Sequence, residues 1–348
     1  MLKIAKQRLN DLYAKINETM GLFIPIKRAG EVNYAVWSEG KEVSLETLKT
    51  VKSPKNFFFP QTENMMKFKT EGKNIEVIDV REALSEKIEN RPFVMFGVKA
   101  CDYKAIEVLD KVFLAEPVDT YYQMRRNAAT IVTLACSKPE ESCFCNAFGI
   151  DATAPMGDVT TWMDEENLYW QSNTEKGEVL TALVKELLCE GGENEVQAQT
   201  EATQAVMVQL PFANLDLTRF KPENLNDLFN DSAWEEMSEA CLGCGTCTFV
   251  CPTCQCFDIR DFKTSEGVLR YRCWDSCMYS DFTLMAHGNS RTTQMQRFRQ
   301  RFMHKLVYYP SQNDGLYSCV GCGRCVNKCP QHLNIVKVIK TLGGKNND

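Results

Sequence analysis

Two stretches of the chain carry the same cysteine spacing, and this repeat constrains the fold more than any other feature. Cys241-Leu-Gly-Cys244-Gly-Thr-Cys247-Thr-Phe-Val-Cys251-Pro252 and Cys319-Val-Gly-Cys322-Gly-Arg-Cys325-Val-Asn-Lys-Cys329-Pro330 match at every cysteine, glycine and proline that defines the motif. C-x2-C-x2-C-x3-C-P is the bacterial ferredoxin run, in which three closely spaced thiolates wrap one [4Fe–4S] cube and the fourth cysteine reaches the other. The spacing predicts one ligand set of Cys241, Cys244, Cys247 and Cys329 and a second of Cys319, Cys322, Cys325 and Cys251. Glycines at 243, 245, 321 and 323 let the backbone wrap closely. The prolines push the preceding cysteine toward an extended conformation, turning its thiolate away from the local loop. Four thiolates also suit tetrahedral zinc, so a zinc-binding scaffold is the competing reading. Zinc gives no reason for three cysteines plus a remote Cys-Pro, repeated.

The full count of 17 cysteines divides unevenly, with twelve between Cys241 and Cys329, four between Cys101 and Cys145, and Cys189 alone. No run of about 18 apolar residues occurs, and the first residues lack the apolar segment of a signal peptide. A cytoplasmic protein without a membrane partner is expected. Thiols clustered in that reducing compartment bind metal or do redox chemistry rather than form disulfides. A formal net charge of −6 argues against nucleic acid as a partner.

Upstream of the repeat the chain reads as α/β. Residues 2–19 have helical spacing, and β-rich runs follow at 34–37, 75–80, 93–98 and 130–134. Between the last two, residues 102–113 repeat apolar side chains at helical spacing, which suggests a parallel crossover. A helix is expected at 178–188, a polar linker at 193–204, a strand at 205–210 and a short acidic helix at 231–240 opening on Ser232. The expected division is an α/β domain at 1–230 that holds a candidate third iron–sulfur site, and a dicluster ferredoxin-like domain at 231–348. The 67 residues between Cys251 and Cys319 leave room for helices, so a helix-elaborated bacterial-type 2[4Fe–4S] domain is expected.

Cys101 and Cys136 each follow an expected strand. If those strands are parallel neighbours, both thiols emerge at the carboxyl edge of the sheet, where open α/β sheets place their ligands. Cys143-Phe-Cys145 returns to the same edge. A cluster, a zinc ion and inert buried thiols all remain open for these four. Cys254, Cys256, Cys273 and Cys277 could ligate a further cluster, but free cysteines packed near clusters explain them better. Arg291, Arg297, Arg299, Arg301, His304 and Lys305 form a basic run, which suits a solvated helix face, a counter to anionic clusters, or steering of an acidic partner.

No dinucleotide fingerprint, P-loop or H-E-x-x-H occurs, and no catalytic residue stands out. The inventory describes a conductor of electrons that borrows its donor and acceptor chemistry from other subunits. Ala100-Cys101-Asp102, Glu141-Ser-Cys143-Phe-Cys145, Cys251-Pro-Thr-Cys254-Gln-Cys256, Trp274-Asp-Ser-Cys277 and His304-Lys305, together with the second repeat, resemble the electron-transfer iron–sulfur subunits of anaerobic sulfite reductases. That group is related to the beta subunits of cytoplasmic sulfhydrogenases, NiFe hydrogenases among them. The resemblance implies an electron relay from a partner that binds flavin and oxidises NAD(P)H to a sirohaem subunit that reduces sulfite to sulfide. It also implies a third iron–sulfur cluster on Cys101, Cys136, Cys143 and Cys145. A sulfhydrogenase beta subunit, relaying between flavin and hydrogenase subunits, is the alternative.

Overall fold

The computed structural model describes residues 1–344, a mixed α/β protein with the repeated cysteine motifs in its C-terminal part. Its strands are β1 (Leu2–Ala5), β2 (Gly21–Arg28), β3 (Glu31–Val36), β4 (Thr62–Glu71), β5 (Asn74–Asp79), β6 (Phe93–Val98), β7 (Ala129–Leu134), β8 (Val159–Met163), β9 (Asn167–Ser172), β10 (Cys189–Glu190), β11 (Phe257–Thr264) and β12 (Gly267–Trp274). Eight of them form one sheet in the order β10-β1-β9-β8-β7-β6-β2-β3. Within it β2, β6, β7 and β8 run parallel. β6 and β7 are buried along their whole length, which is why they read as runs of apolar and β-branched residues and why both lie in the interior of the sheet. The crossover between them holds the helices Ala100–Phe113 and Thr120–Ala128. Phe93 stands opposite Ala129, so the two strands start level and their carboxyl ends open on one edge.

Four expectations fail or shift, each for a local reason. Residues 2–19 are not one helix: Leu2–Ala5 pairs with β9 and β10, buries Ile4, and only Leu9–Thr19 is helical. The polar stretch 193–204 is no linker but most of a helix, Glu193–Met207, rich in strong helix formers, which buries Val196, Thr203 and Met207. Residues 205–210 are the end of that helix and a turn rather than a strand. The helix expected at 178–188 runs instead over Glu175–Leu183: the Thr174 hydroxyl accepts from the Gly177 amide and caps its start, and a short 3-10 turn, Lys185–Leu187, follows its end.

A second sheet, in the order β11-β12-β4-β5, takes strands from both sides of residue 230. Arg272 on β12 pairs in register with Glu63 on β4 and donates to its carboxylate at 2.6 Å. Arg272 also pairs with Asp119 at the start of the Thr120–Ala128 helix, and Arg125 of that helix pairs with Glu63. The 67-residue insert therefore opens with a β-hairpin as well as carrying the helix Gln294–Met303. Around the cysteine motifs a separate core gathers Trp234, Phe298, Phe302, Leu306 and Ile339 with Phe144 from the loop after β7. Among the described residues no helix is long and apolar enough to cross a membrane.

Candidate iron–sulfur centres

Cys241, Cys244, Cys247 and Cys329 line one cavity, with Met278, Phe298 and Leu333 forming apolar walls and Arg301 beside them. The distant Cys329 thus reaches the first triplet, as the exchanged-ligand spacing requires. Cys319 and Cys322 both lie within electrostatic reach of Cys251 and Cys325, which gathers the second set in the same crossed manner. Cys247 in turn feels Cys325, so the two sets are adjacent. Burial pushes the Cys247 and Cys322 thiols up to about 11. Left alone such thiols stay protonated; metal ligation is what ionises them. Among the described residues no three His, Cys, Asp or Glu side chains converge on a single metal ion.

The loop after β7 delivers the other group. Cys101 opens the helix that follows β6, and Cys136 follows β7, its amide donating to Ala152 O at 2.8 Å. Cys145 faces Cys136 and Cys143, and Cys101 faces Cys145, so all four thiols share the carboxyl edge of the sheet. Burial raises Cys136 to about 11 and Cys145 to about 12. Cys101 also feels Cys322 of the second set. The three groups thus follow one another: the loop group, then the second set, then the first.

Close backbone contact explains two of the motif glycines. Gly321 has φ +58° and its carbonyl accepts from the Phe144 amide at 3.0 Å; a Cβ there would come under 3.0 Å from the Phe144 carbonyl and the Cys145 nitrogen. Gly323, at φ +73°, meets Ser142 O in the same way. Glycine at 321 and 323 therefore serves the approach of the Cys143–Cys145 loop as much as the wrapping of the local motif.

Cations surround these thiols from inside the protein. Arg324 sits in the second repeat where the first has Thr246, and its guanidinium donates to both Asp102 oxygens at 2.6 and 2.7 Å, fully buried. This fork ties the residue after Cys101 to the second cysteine motif. Lys305 donates to Thr253 Oγ1 and Ser318 O, both at 2.9 Å. Burial works against its charge, but Cys251, Cys254 and Cys319 more than offset that and hold the ammonium above its usual range. Arg301 is buried and donates to Cys247 O at 3.4 Å, but among the described residues it has no carboxylate partner and its Nε lacks a hydrogen-bond partner. A buried cation without a counter-ion is costly, so such a lining fits an anionic, sulfur-rich guest. Lys99, buried beside Cys136 and Cys101, does the same for the loop group. The basic run of the insert is accordingly not one solvated face, because Arg301 and Lys305 point inward, and Arg299 lies over the Phe229 ring.

Burial, and then Lys305 and Arg291, bring His304 down to about 4. The unfolded imidazole titrates near 6.5, so between those values the folded protein binds fewer protons and its stability rises with pH. Tm is expected to fall as pH drops from about 6.5 toward about 4, and His304→Gln to flatten that fall.

Sequence reasoning named Cys101, Cys136, Cys143 and Cys145 and the eight repeat cysteines, and the structure gathers them in those three groups. It does not gather the insert cysteines as four: Cys254, Cys256 and Cys277 are neighbours, whereas Cys273 on β12 faces Arg260 and Asp258. Lys55, which donates to Cys251 O and Cys254 O at 2.9 Å, was not legible in sequence, since it lies about 200 residues upstream in a short helix, Lys55–Phe58. The Arg324–Asp102 fork left one trace, an arginine between two ligand cysteines where the first repeat has Thr246.

Residues 240–333 match the model of a 4Fe-4S dicluster domain family. Over 344 residues the chain is 29% identical to sulfhydrogenase 2 subunit beta of Pyrococcus furiosus, with 97% of each chain covered. The protein is thus an α/β chain with a C-terminal 4Fe-4S dicluster domain.

Proposed function

We propose that this chain is the electron-relaying iron–sulfur subunit of a multi-subunit oxidoreductase. The observation that carries the reading is the succession of three thiol groups, each adjacent to the next through Cys101 and Cys322 and then through Cys325 and Cys247. Cys241, Cys244, Cys247 and Cys329 would hold one [4Fe–4S] cube, Cys319, Cys322, Cys325 and Cys251 the other, and Cys101, Cys136, Cys143 and Cys145 a third cluster. Bound cubes exchange single electrons at potentials set by net charge, hydrogen bonds and exposure. The chain's own part is to hold the thiolates, exclude water with Phe144, Phe298 and Met278, and balance charge with Arg301, Lys305, Arg324 and Lys99. The division proposed is residues 1–230 for the third site and 231–348 for the two cubes, with the smaller sheet fastening one to the other.

The likeness to a sulfhydrogenase beta subunit favours a hydrogenase-type acceptor over the sirohaem acceptor expected from the motifs. Partner subunits are also supported by Ile75 and Val77, 67% and 58% exposed on β5. Anaerobic purification from the native cell is expected to bring down a hydrogenase large subunit together with a flavoprotein. A copurifying sirohaem protein would move the assignment to sulfite reduction. Iron and acid-labile sulfide separate the cluster counts: about eight irons per chain mean two cubes, and about ten to twelve include the third site. Cys143→Ser is expected to remove only the third site's share. A colourless, zinc-loaded protein would end the relay reading.

A further inference from the structure

Cys256 and Cys277 are left outside the three ligand sets, and the hairpin β11–β12 brings them together. Cys256 immediately precedes β11 and Cys277 follows β12 by three residues; Phe257 pairs with Trp274 in register, and the Asp275 amide donates to Cys256 O at 2.9 Å. The two thiols are hydrogen-bonded to each other, and the Cys277 amide also donates toward the Cys256 sulfur. In the ligand sets, by contrast, Cys145, Cys247 and Cys319 meet their neighbouring thiols through charge and not through a hydrogen bond. Direct sulfur contact suits a bond between the two atoms better than a shared multi-atom guest. Cys254 connects this pair to the relay, since its thiol is hydrogen-bonded to Cys251 of the second set and lies near Cys256 and Cys277. Lys55 stands over the group, 3.8 Å from the Trp274 ring centroid and bonded to the Cys251 and Cys254 carbonyls, and supplies a buried positive charge that favours a thiolate.

We propose that Cys256 and Cys277 are a reversible dithiol–disulfide pair that stores two electrons beside the second cysteine set. Reduction breaks the Sγ–Sγ bond and takes up two electrons and two protons to give two thiols. Oxidation forms that bond again, returns both protons to solvent, and returns the electrons one at a time to the adjacent one-electron iron–sulfur carrier. The inference rests on the relay reading for the source and sink of those electrons.

The test uses the full-length protein, poised anaerobically across a series of potentials, then denatured, alkylated and mapped by mass spectrometry. A peptide cross-linked through Cys256 and Cys277 is expected at the oxidising end and two alkylated cysteines at the reducing end. Cys277→Ser and, separately, Cys256→Ser are expected to leave iron and sulfide per chain unchanged while lowering the reducing equivalents taken up in an anaerobic titration by two. Alkylation of both residues at every potential would overturn the proposal. So would a loss of iron in either variant, which would make these thiols cluster ligands. If the wild-type protein carried no iron at all, the relay reading would fail, whereas the cross-link map would still report on the pair.

Discussion

Gly321→Ala is expected to strip the protein of iron from both the second cysteine set and the loop after β7. Two effects add at this position. A side chain at φ +58° costs about 1–2 kcal/mol by itself. The larger effect is steric, because the new Cβ lies on the Phe144 carbonyl and the Cys145 nitrogen, both of them backbone that no rotamer change can move aside. The 143–145 loop must retreat, carrying Cys143 and Cys145 away from Cys136 and breaking the Phe144 to Gly321 hydrogen bond. Iron and sulfide analysis should show the loss in both places, with the first set, whose cavity neither Gly321 nor Phe144 lines, retaining its share. The control is Gly315→Ala: it also has a positive φ, but a Cβ there meets nothing within 4 Å, so only the backbone penalty applies. Equal iron content in Gly321→Ala and wild type would refute the assignment of this contact.

Asp102→Asn is expected to be the most destabilising single change among the polar residues. It leaves the Arg324 guanidinium, 4% exposed, without its counter-charge, and breaking one side of a buried pair typically costs about 3–5 kcal/mol. Chemical denaturation, read as a shift of the midpoint at constant slope, measures it. The double change Asp102→Leu with Arg324→Met is expected to recover much of that loss, because a buried pair is often replaced by apolar groups at little cost. Its spectroscopic signature should nevertheless differ from wild type, since the guanidinium also stands beside Cys322 and Cys101.

The eight repeat cysteines were readable from spacing because metal ligation is a local constraint, and short intervals state which backbone loops must curl; Cys101 and Cys136, far apart in sequence, were readable only through the strands they follow. The central strands β6 and β7 were equally readable, since burial on both faces selects apolar and β-branched residues, with Thr130 and Thr133 the polar members. The smaller sheet was not. β11 reads Phe-Asp-Ile-Arg-Asp-Phe-Lys-Thr, with Ile259 and Phe262 exposed and charges between them, so no buried face imposes a period on it. Its partner β12 pairs in turn with β4, about 200 residues upstream, and the Glu63–Arg272 pair that joins those two strands is invisible as a pattern. The Leu2–Ala5 strand failed for a related reason: four residues are too few for alternation to outweigh the helical spacing that continues into Leu9–Thr19.

The inward-facing cations have a consequence for how other proteins meet this one. Lys55, Lys99, Arg272, Arg301, Lys305 and Arg324 are buried among the described residues, against only Glu63 and Asp102 of the carboxylates. Setting those six positive and two negative charges aside from a formal −6 leaves an exterior nearer −10. A docking partner thus meets a surface considerably more acidic than the composition announces. A protein presenting lysine and arginine would be drawn in over about one Debye length, and its association rate would fall as ionic strength rises.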